Sequence, residues 1–186
     1  EIQINDTRIT LLDKILNNNI INYAFVTFCI LILINGSNFI DGMNTLSSGY
    51  YLLIIFIIFI LNLNQSIIFQ ENSILYILFL LIPVFILNFF NKIYLGDSGS
   101  YLLGFGFSIF LIDVYNLNPT ISPFFVILLL WYPCYEILFS VLRKNTFNRS
   151  PMEPDNKHLH QLIFFYIKKK HKLKLLKANI LTSQII

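Results

Sequence analysis

The chain has 186 residues, of which 56% are apolar, 16% aromatic and only 12% charged, with a mean hydropathy of +0.68 and a net charge of +3. Soluble domains carry about 25% charged residues, so a globule of this length would have too much surface for so few charges. The composition speaks against a soluble enzyme, a nucleic-acid-binding module and a disordered tail, and makes lipid the expected solvent for most of the chain. Of the 13 Lys and Arg, 10 fall between Arg143 and Lys177, so the positive charge belongs to one segment. Cys29 and Cys134 each stand in an apolar run, which points to free thiols rather than a disulfide or zinc framework.

A bilayer core of about 30 Å calls for about 20 mostly apolar residues per helix. Five segments approach that length, at about 20–38, 49–66, 73–91, 99–116 and 121–142. Runs such as Tyr50 to Leu61 lack the alternation of a half-buried strand. The predicted fold is therefore all-α, a polytopic bundle of about five spans, with Leu173 to Ile186 resembling a sixth helix cut short. Pro83, Pro123 and Pro133 fall in or near the spans, where neighbouring helices can satisfy a kinked backbone. The connections at about 63–72 and 113–121 contain no Lys or Arg and are expected outside. Those holding Lys92 and the run from Arg143 onward are expected in the cytoplasm, together with the turn from Asp41 to Ser48. Arg8 and Lys14 then fall on the outer side, against the trend. The organisation reads as one integral-membrane domain over 1–186, with a cytoplasmic basic loop over 143–172; the lysines from Lys168 to Lys177 are assigned to lipid headgroups.

This topology brings three polar clusters to one side of the membrane. The first runs from Asn35 to Asn44, where Asn35, Asn38, Asp41 and Asn44 recur every third residue and would form one stripe on a helix. A helix end with a glycine cap is the bland alternative, but amides in register with a carboxylate at the membrane edge call for partners. The second runs from Tyr94 to Ser100, with Asp97 at an expected N-cap. It reads equally as a cap or as a metal-phosphate site. The third runs from Arg149 to Gln161, where Pro154-Asp155 looks like a helix start that places His158 in the first turn. His158 and His160 are spaced too closely to share a helix face, which speaks against a zinc pair; a solvated histidine pair is the alternative. Glu136 falls mid-span, where an ionisable group needs a partner, and a structural hydrogen bond is its expected role. Asp113 and Glu71 read as outer interfacial charges. No Walker loop, dinucleotide fingerprint or G-x-S-x-G element occurs.

In order and spacing, these clusters resemble the polyprenyl-phosphate N-acetylhexosamine-1-phosphate transferases, the WecA/MraY-like membrane enzymes. The N-x-x-N-x-x-D-G-x-[DN]-G-L element of that family resembles Asn35 to Leu46, F-x-G-D-x-G-S resembles Tyr94 to Ser100, and S-P-x-x-P-D-x-x-H-x-H-H resembles Ser150 to Gln161. The resemblance implies transfer of a sugar phosphate from a UDP-N-acetylhexosamine to undecaprenyl phosphate, with release of UMP and use of Mg²⁺, or Mn²⁺ in its place. It implies a multi-pass protein of the bacterial inner membrane whose site faces the cytoplasm, in a lipid-linked cell-envelope glycan pathway. Asp97 is then the leading metal ligand and Asp41 a second catalytic carboxylate near the metal. Asn38 would position nucleotide or phosphate, Asn44 would contact the nucleotide, and Tyr94 would stack on uracil. His158 and His160 would contact the pyrophosphate, helped by the positive charge around Arg149.

The chain departs from the family pattern at three places. No adjacent Asp-Asp pair occurs, Gln161 replaces the last histidine, and Thr45 stands where the family usually has glycine. The expectation is a transferase domain lacking its N-terminal part and inactive as a fragment; a homodimer is compatible with the apolar helices. The alternative is an inactive or partner-completed membrane scaffold of the same fold. A small transporter would instead place polar residues at matched depth in several helices, whereas here they gather at the cytoplasmic ends.

Overall fold

The computed structural model describes residues 2–4, 6–146, 158–171 and 174–186. The described residues contain helices and no strand: α1 (Thr10–Leu16), α2 (Asn19–Ile40), α3 (Leu46–Leu63), α4 (Glu71–Phe89), α5 (Gly96–Leu117), α6 (Pro123–Leu129), α7 (Trp131–Thr146), α8 (Leu159–His171) and α9 (Leu175–Ile185). Four of them, α2 to α5, are long and apolar enough to cross a membrane, and the bent pair α6–α7 makes a fifth if taken as one span. The all-α expectation and the first four spans hold. The short α1 was not predicted, and the segment 143–172 contains the last turn of α7 and all of α8 besides its connecting residues.

The central element is α2, which packs against both α5 and α7. Small residues let these backbones approach. A Cβ on Gly104 of α5 would lie 2.6 Å from Ser37 Oγ, 2.8 Å from Ile34 Cα and 2.9 Å from Leu33 O on α2. On the other side of α2, a Cβ on Gly36 would lie 2.7 Å from Pro133 O. The interior formed around these crossings is apolar, with Leu33, Tyr51, Ile54, Ile55, Phe107 and Leu111 among its buried members. Helix α4 pairs with α3 at the edge and leaves Phe79 and Leu80 about three-quarters and two-thirds exposed, at 77% and 67%. Such a face suits lipid.

The fifth expected span is not a continuous helix. It bends by 75° between Leu129 and Trp131, and proline chemistry explains the break. Pro133 has no N–H to donate to the carbonyl of Leu129, four residues back. Tyr50 of α3 donates its hydroxyl to that orphaned Leu129 carbonyl at 2.6 Å, while accepting the Tyr132 N–H at 3.4 Å. The bend is thus stitched to its neighbour through one phenol.

Arg8, which violated the charge trend, donates its Nη2 to the carbonyls of Pro119, Thr120 and Ile121 at 3.0–3.3 Å. It clamps the α5–α6 connection, so its position is set by this structural task. The connections α2–α3 and α4–α5 lie at the opposite end of the bundle, together with α8.

Candidate active site

The end of α2 carries the first cluster. The helix stops at Ile40, with Asp41 as its C-cap. Asn35 donates to the carbonyl of Leu31 of its own helix at 2.7 Å, whereas Asn38 crosses to α5 and donates Nδ2 to Asp97 Oδ1 at 2.9 Å and to Ser100 Oγ at 3.4 Å. The expected stripe therefore holds through Asp41 and ends there. Asn44 lies beyond the helix, where its N–H donates to Asn179 Oδ1 of α9 at 2.9 Å and its Nδ2 to Asn91 Oδ1. The polar period of the sequence outlasts the helix because the chain turns at Gly42 to start α3.

Asp97 is not the N-cap expected of it. Helix α5 begins one residue earlier, at Gly96, whose φ of +62° is the left-handed conformation that glycine enters without strain. Asp97 thereby falls in the first helical turn. Ser100 Oγ donates to the Asp97 carbonyl at 3.0 Å. Asp41 and Asp97 are brought near each other from different helices, and the Asp41 carboxyl is pushed up to about 7, first by burial and then by the negative charge of Asp97, against the opposing effect of the Gly96 N–H. Both carboxylates thus stand at the same bundle end, with Asn38 orienting one of them.

The connection behind them is a web of asparagines. Asn88, buried at the end of α4, accepts the Thr45 N–H and donates to the Ile93 carbonyl at 2.9 Å, so one side chain ties the α2–α3 turn to the segment leading into Tyr94 and Asp97. Thr45 has a φ of +66°, a conformation costly for a β-branched residue. This explains why glycine suits the position; here the Thr45 hydroxyl is held by the Asn44 carbonyl at 2.6 Å and Ser183 Oγ at 2.9 Å. Tyr94 is 72% exposed and presents its ring at the surface beside this web.

The third cluster closes from below. Arg149 lies outside the described residues. Helix α8 begins at Leu159, so His158 precedes it rather than occupying its first turn. That difference lets two histidines that would diverge on one helix meet the same partner. His158 Nδ1 lies 3.0 Å from Glu136 Oε2, and His160 Nδ1 lies 3.4 Å from Glu136 Oε1. Their rings are parallel within 3° at 5.6 Å. Glu136 Oε1 also accepts the Leu159 N–H at 2.9 Å and the Tyr132 hydroxyl at 3.1 Å. Glu136, Tyr132 and His160 are each fully buried, and Gly42 lies against the ring, because a Cβ there would stand 2.4 Å from His160 Nε2.

The need of Glu136 for a partner is legible in the sequence, but its meeting with the histidines is not. Tyr132, Asn88, Asn91 and Asn179 were missed altogether; the available signal was the presence of polar side chains in or beside apolar helices. An apolar cavity of about 290 Å³ lies among α2, α5, α6 and the N-terminal segment, lined in part by Ile4, Leu12, Phe25, Cys29 and Cys134. Both free thiols thus line one cavity, away from the carboxylates.

Comparison with known proteins gives the family. The model of glycosyl transferase family 4 matches residues 1–115. The undecaprenyl-phosphate α-N-acetylglucosaminyl 1-phosphate transferase of Thermotoga maritima is 28% identical over 130 residues, covering 70% of this chain and 39% of that protein. A probable undecaprenyl-phosphate N-acetylglucosaminyl 1-phosphate transferase of Bacillus subtilis is 26% identical over 147 residues, 77% of this chain and 41% of the relative. The decaprenyl-phosphate N-acetylglucosaminephosphotransferase of Mycolicibacterium smegmatis is 27% identical, covering 69% of the chain and 37% of its own length. The chain thus spans about two-fifths of the curated relatives it matches, and no solved structure matches it. With the matched region embracing α2 to α4, nearly all of α5 and both carboxylates, this chain belongs to glycosyl transferase family 4.

Proposed function

We propose that this chain carries the phosphate-facing part of a membrane enzyme that transfers N-acetylglucosamine-1-phosphate from a UDP-sugar to undecaprenyl phosphate, releasing UMP at the cytoplasmic face of a bacterial plasma membrane. The observation that carries the reading is the meeting of Asp41 and Asp97 at one bundle end, with Asn38 donating to Asp97 at 2.9 Å. The relatives' names supply the sugar phosphate and the lipid. In the reaction an oxygen of the lipid phosphate forms the new bond to the sugar-bearing phosphorus, and the bridging bond to UMP breaks.

The donor set fits Mg²⁺. Asp41, Asp97 and the Asn38 amide offer oxygen donors, and among the described residues the charge acting on Asp41 is that of another carboxylate. Asp41 and Asp97 would hold such a hard cation through their carboxylates; Mn²⁺ shares these oxygen preferences. When bound, the cation would supply positive charge against the pyrophosphate oxygens. The chain's own residues position the rest: Asn38 fixes one Asp97 oxygen, Asn88 holds the α2–α3 turn to the α4–α5 connection, and exposed Tyr94 offers a stacking surface to the base.

The test uses the whole enzyme in membranes, with UDP-N-acetylglucosamine, undecaprenyl phosphate and Mg²⁺, following UMP release and lipid-linked sugar. Asp97→Asn is expected to lower turnover by at least about 100-fold, as loss of a charge-stabilising group does. Full Mg²⁺-dependent turnover in that variant would overturn the assignment of Asp97. A wild-type enzyme that releases no UMP from UDP-sugars would overturn the function.

A further inference from the structure

The transferase reading leaves the Glu136 cluster unexplained. A fully buried carboxylate takes donors on both oxygens: His158 Nδ1 at 3.0 Å on Oε2, and on Oε1 the Leu159 N–H at 2.9 Å, the Tyr132 hydroxyl at 3.1 Å and His160 Nδ1 at 3.4 Å. Tyr132 Oη also lies 3.3 Å from His160 Nδ1, and with its proton directed to Glu136 it offers that nitrogen a second acceptor. An ionised carboxylate has no proton to give, so a histidine that bonds to it does so with its proton on Nδ1. The other ring nitrogen is then the one left for a ligand. His160 Nε2 is buried, has no hydrogen-bond partner among the described residues, and faces the Gly42 turn next to Asp41. Such an orphaned buried nitrogen calls for an explanation.

We propose that Glu136 is a positioning residue for the reaction: through Nδ1 it fixes the tautomer and orientation of His158 and His160, with the Nε2 edge of His160 turned to the Asp41–Gly42 turn on which the site is built. The proposal deepens the transferase reading and rests on it for the identity of the ligand. The parallel stack of the two rings follows from their common anchor. Phe39, at the end of α2, packs against His158 at a centroid distance of 4.9 Å with the rings tilted by 44°. Gly42 completes the seat, since any side chain there would displace the ring. The geometry explains why a carboxylate sits on α7 just beyond the bend. The break at Leu130 redirects α7, and Glu136, one turn beyond Tyr132, meets the start of α8.

The experiment is done on the whole membrane enzyme in nanodiscs, by ¹⁵N NMR of histidine side chains together with steady-state kinetics. In the wild type, His158 and His160 are expected to carry a proton on Nδ1, whereas a neutral histidine side chain in water favours Nε2–H. Glu136→Gln preserves side-chain size but offers one acceptor oxygen in place of two. It is expected to return at least one ring to the Nε2–H form and to lower kcat about 10- to 100-fold, the range seen when groups orienting a site ligand are lost, with UDP-sugar KM changed less than kcat. Glu136→Asp, which keeps both acceptors, should restore the Nδ1–H form and part of kcat. Wild-type rings with Nε2–H tautomers would overturn the proposal whether or not any variant folds. So would a Gln variant with unchanged tautomers or unchanged kcat. An inactive wild type with both Nδ1–H tautomers in place would instead count against the transferase reading and leave the Glu136 anchor supported.

Discussion

The same substitution at two glycines of α5 should have opposite effects. Gly104 faces α2, and a Cβ there would meet Ile34 Cα at 2.8 Å and Leu33 O at 2.9 Å, both backbone atoms. Carbon contacts are optimal at about 3.5–4.0 Å, so the two helices must move apart by roughly 1 Å. Overpacking of this kind costs about 1–3 kcal/mol. Gly106 lies two residues further on, exposed, with nothing within 4 Å of its hypothetical Cβ. Alanine gains about 1 kcal/mol over glycine inside a helix, and that gain is common to both positions. It cancels in the comparison, leaving the overpacking penalty itself, about 1–3 kcal/mol, as the gap. Gly106→Ala should therefore unfold at a higher denaturant concentration than wild type, and Gly104→Ala at a lower one, when the whole protein is titrated with SDS in mixed micelles. Because the Asn38–Asp97 hydrogen bond crosses the same α2–α5 interface, Gly104→Ala should also reduce turnover while Gly106→Ala does not. Equal midpoints for the two variants would refute the close approach of α2 and α5.

Asp41 gives a pH prediction. Its carboxyl is raised to about 7 by burial and by Asp97, so the fold favours the protonated acid. Without a divalent cation, its contribution to stability is greatest below about pH 4 and is lost as pH rises through about 7. A cation reverses the balance by favouring the carboxylate; the thermal shift induced by Mg²⁺ should therefore be larger at pH 8 than at pH 5.5, and the difference should vanish in Asp41→Asn. An Mg²⁺ shift independent of pH would count against the pair. At Thr45, with φ +66°, Thr45→Val retains the backbone strain and loses both hydroxyl contacts, so it should destabilise by about 1–2 kcal/mol. Thr45→Gly relieves the strain and should unfold closer to wild type; the reverse order would refute the conformation. Tyr50→Phe removes the donor to the Leu129 carbonyl, leaving a polar group unsatisfied at the bend, and should cost about 1–3 kcal/mol in the same unfolding assay.

The helical membrane class of the protein and the polar clusters of the candidate site were legible in the residues. Apolar runs without strand periodicity specify helices, and the number of such runs specifies a bundle, because in lipid the backbone must satisfy its hydrogen bonds locally. Asn38, Asp41 and Asp97 were legible because polar groups at the ends of apolar helices call for partners, and alternation of spans brings those ends to one side. Tertiary structure alone decided which partners they find. The bend at Leu130 depends on Tyr50, eighty residues away, accepting the role of the donor that Pro133 lacks. That Asp97 enters the first turn rather than capping α5 follows from the left-handed Gly96, and that Asn44 leaves the polar stripe follows from the helix ending at Ile40. The role of Glu136 was beyond any local rule. A histidine pair spaced two apart diverges on a regular helix, and meets one carboxylate here because α8 starts between the two residues. Local periodicity records which residues need partners; only the packing of distant segments records which partners are within reach.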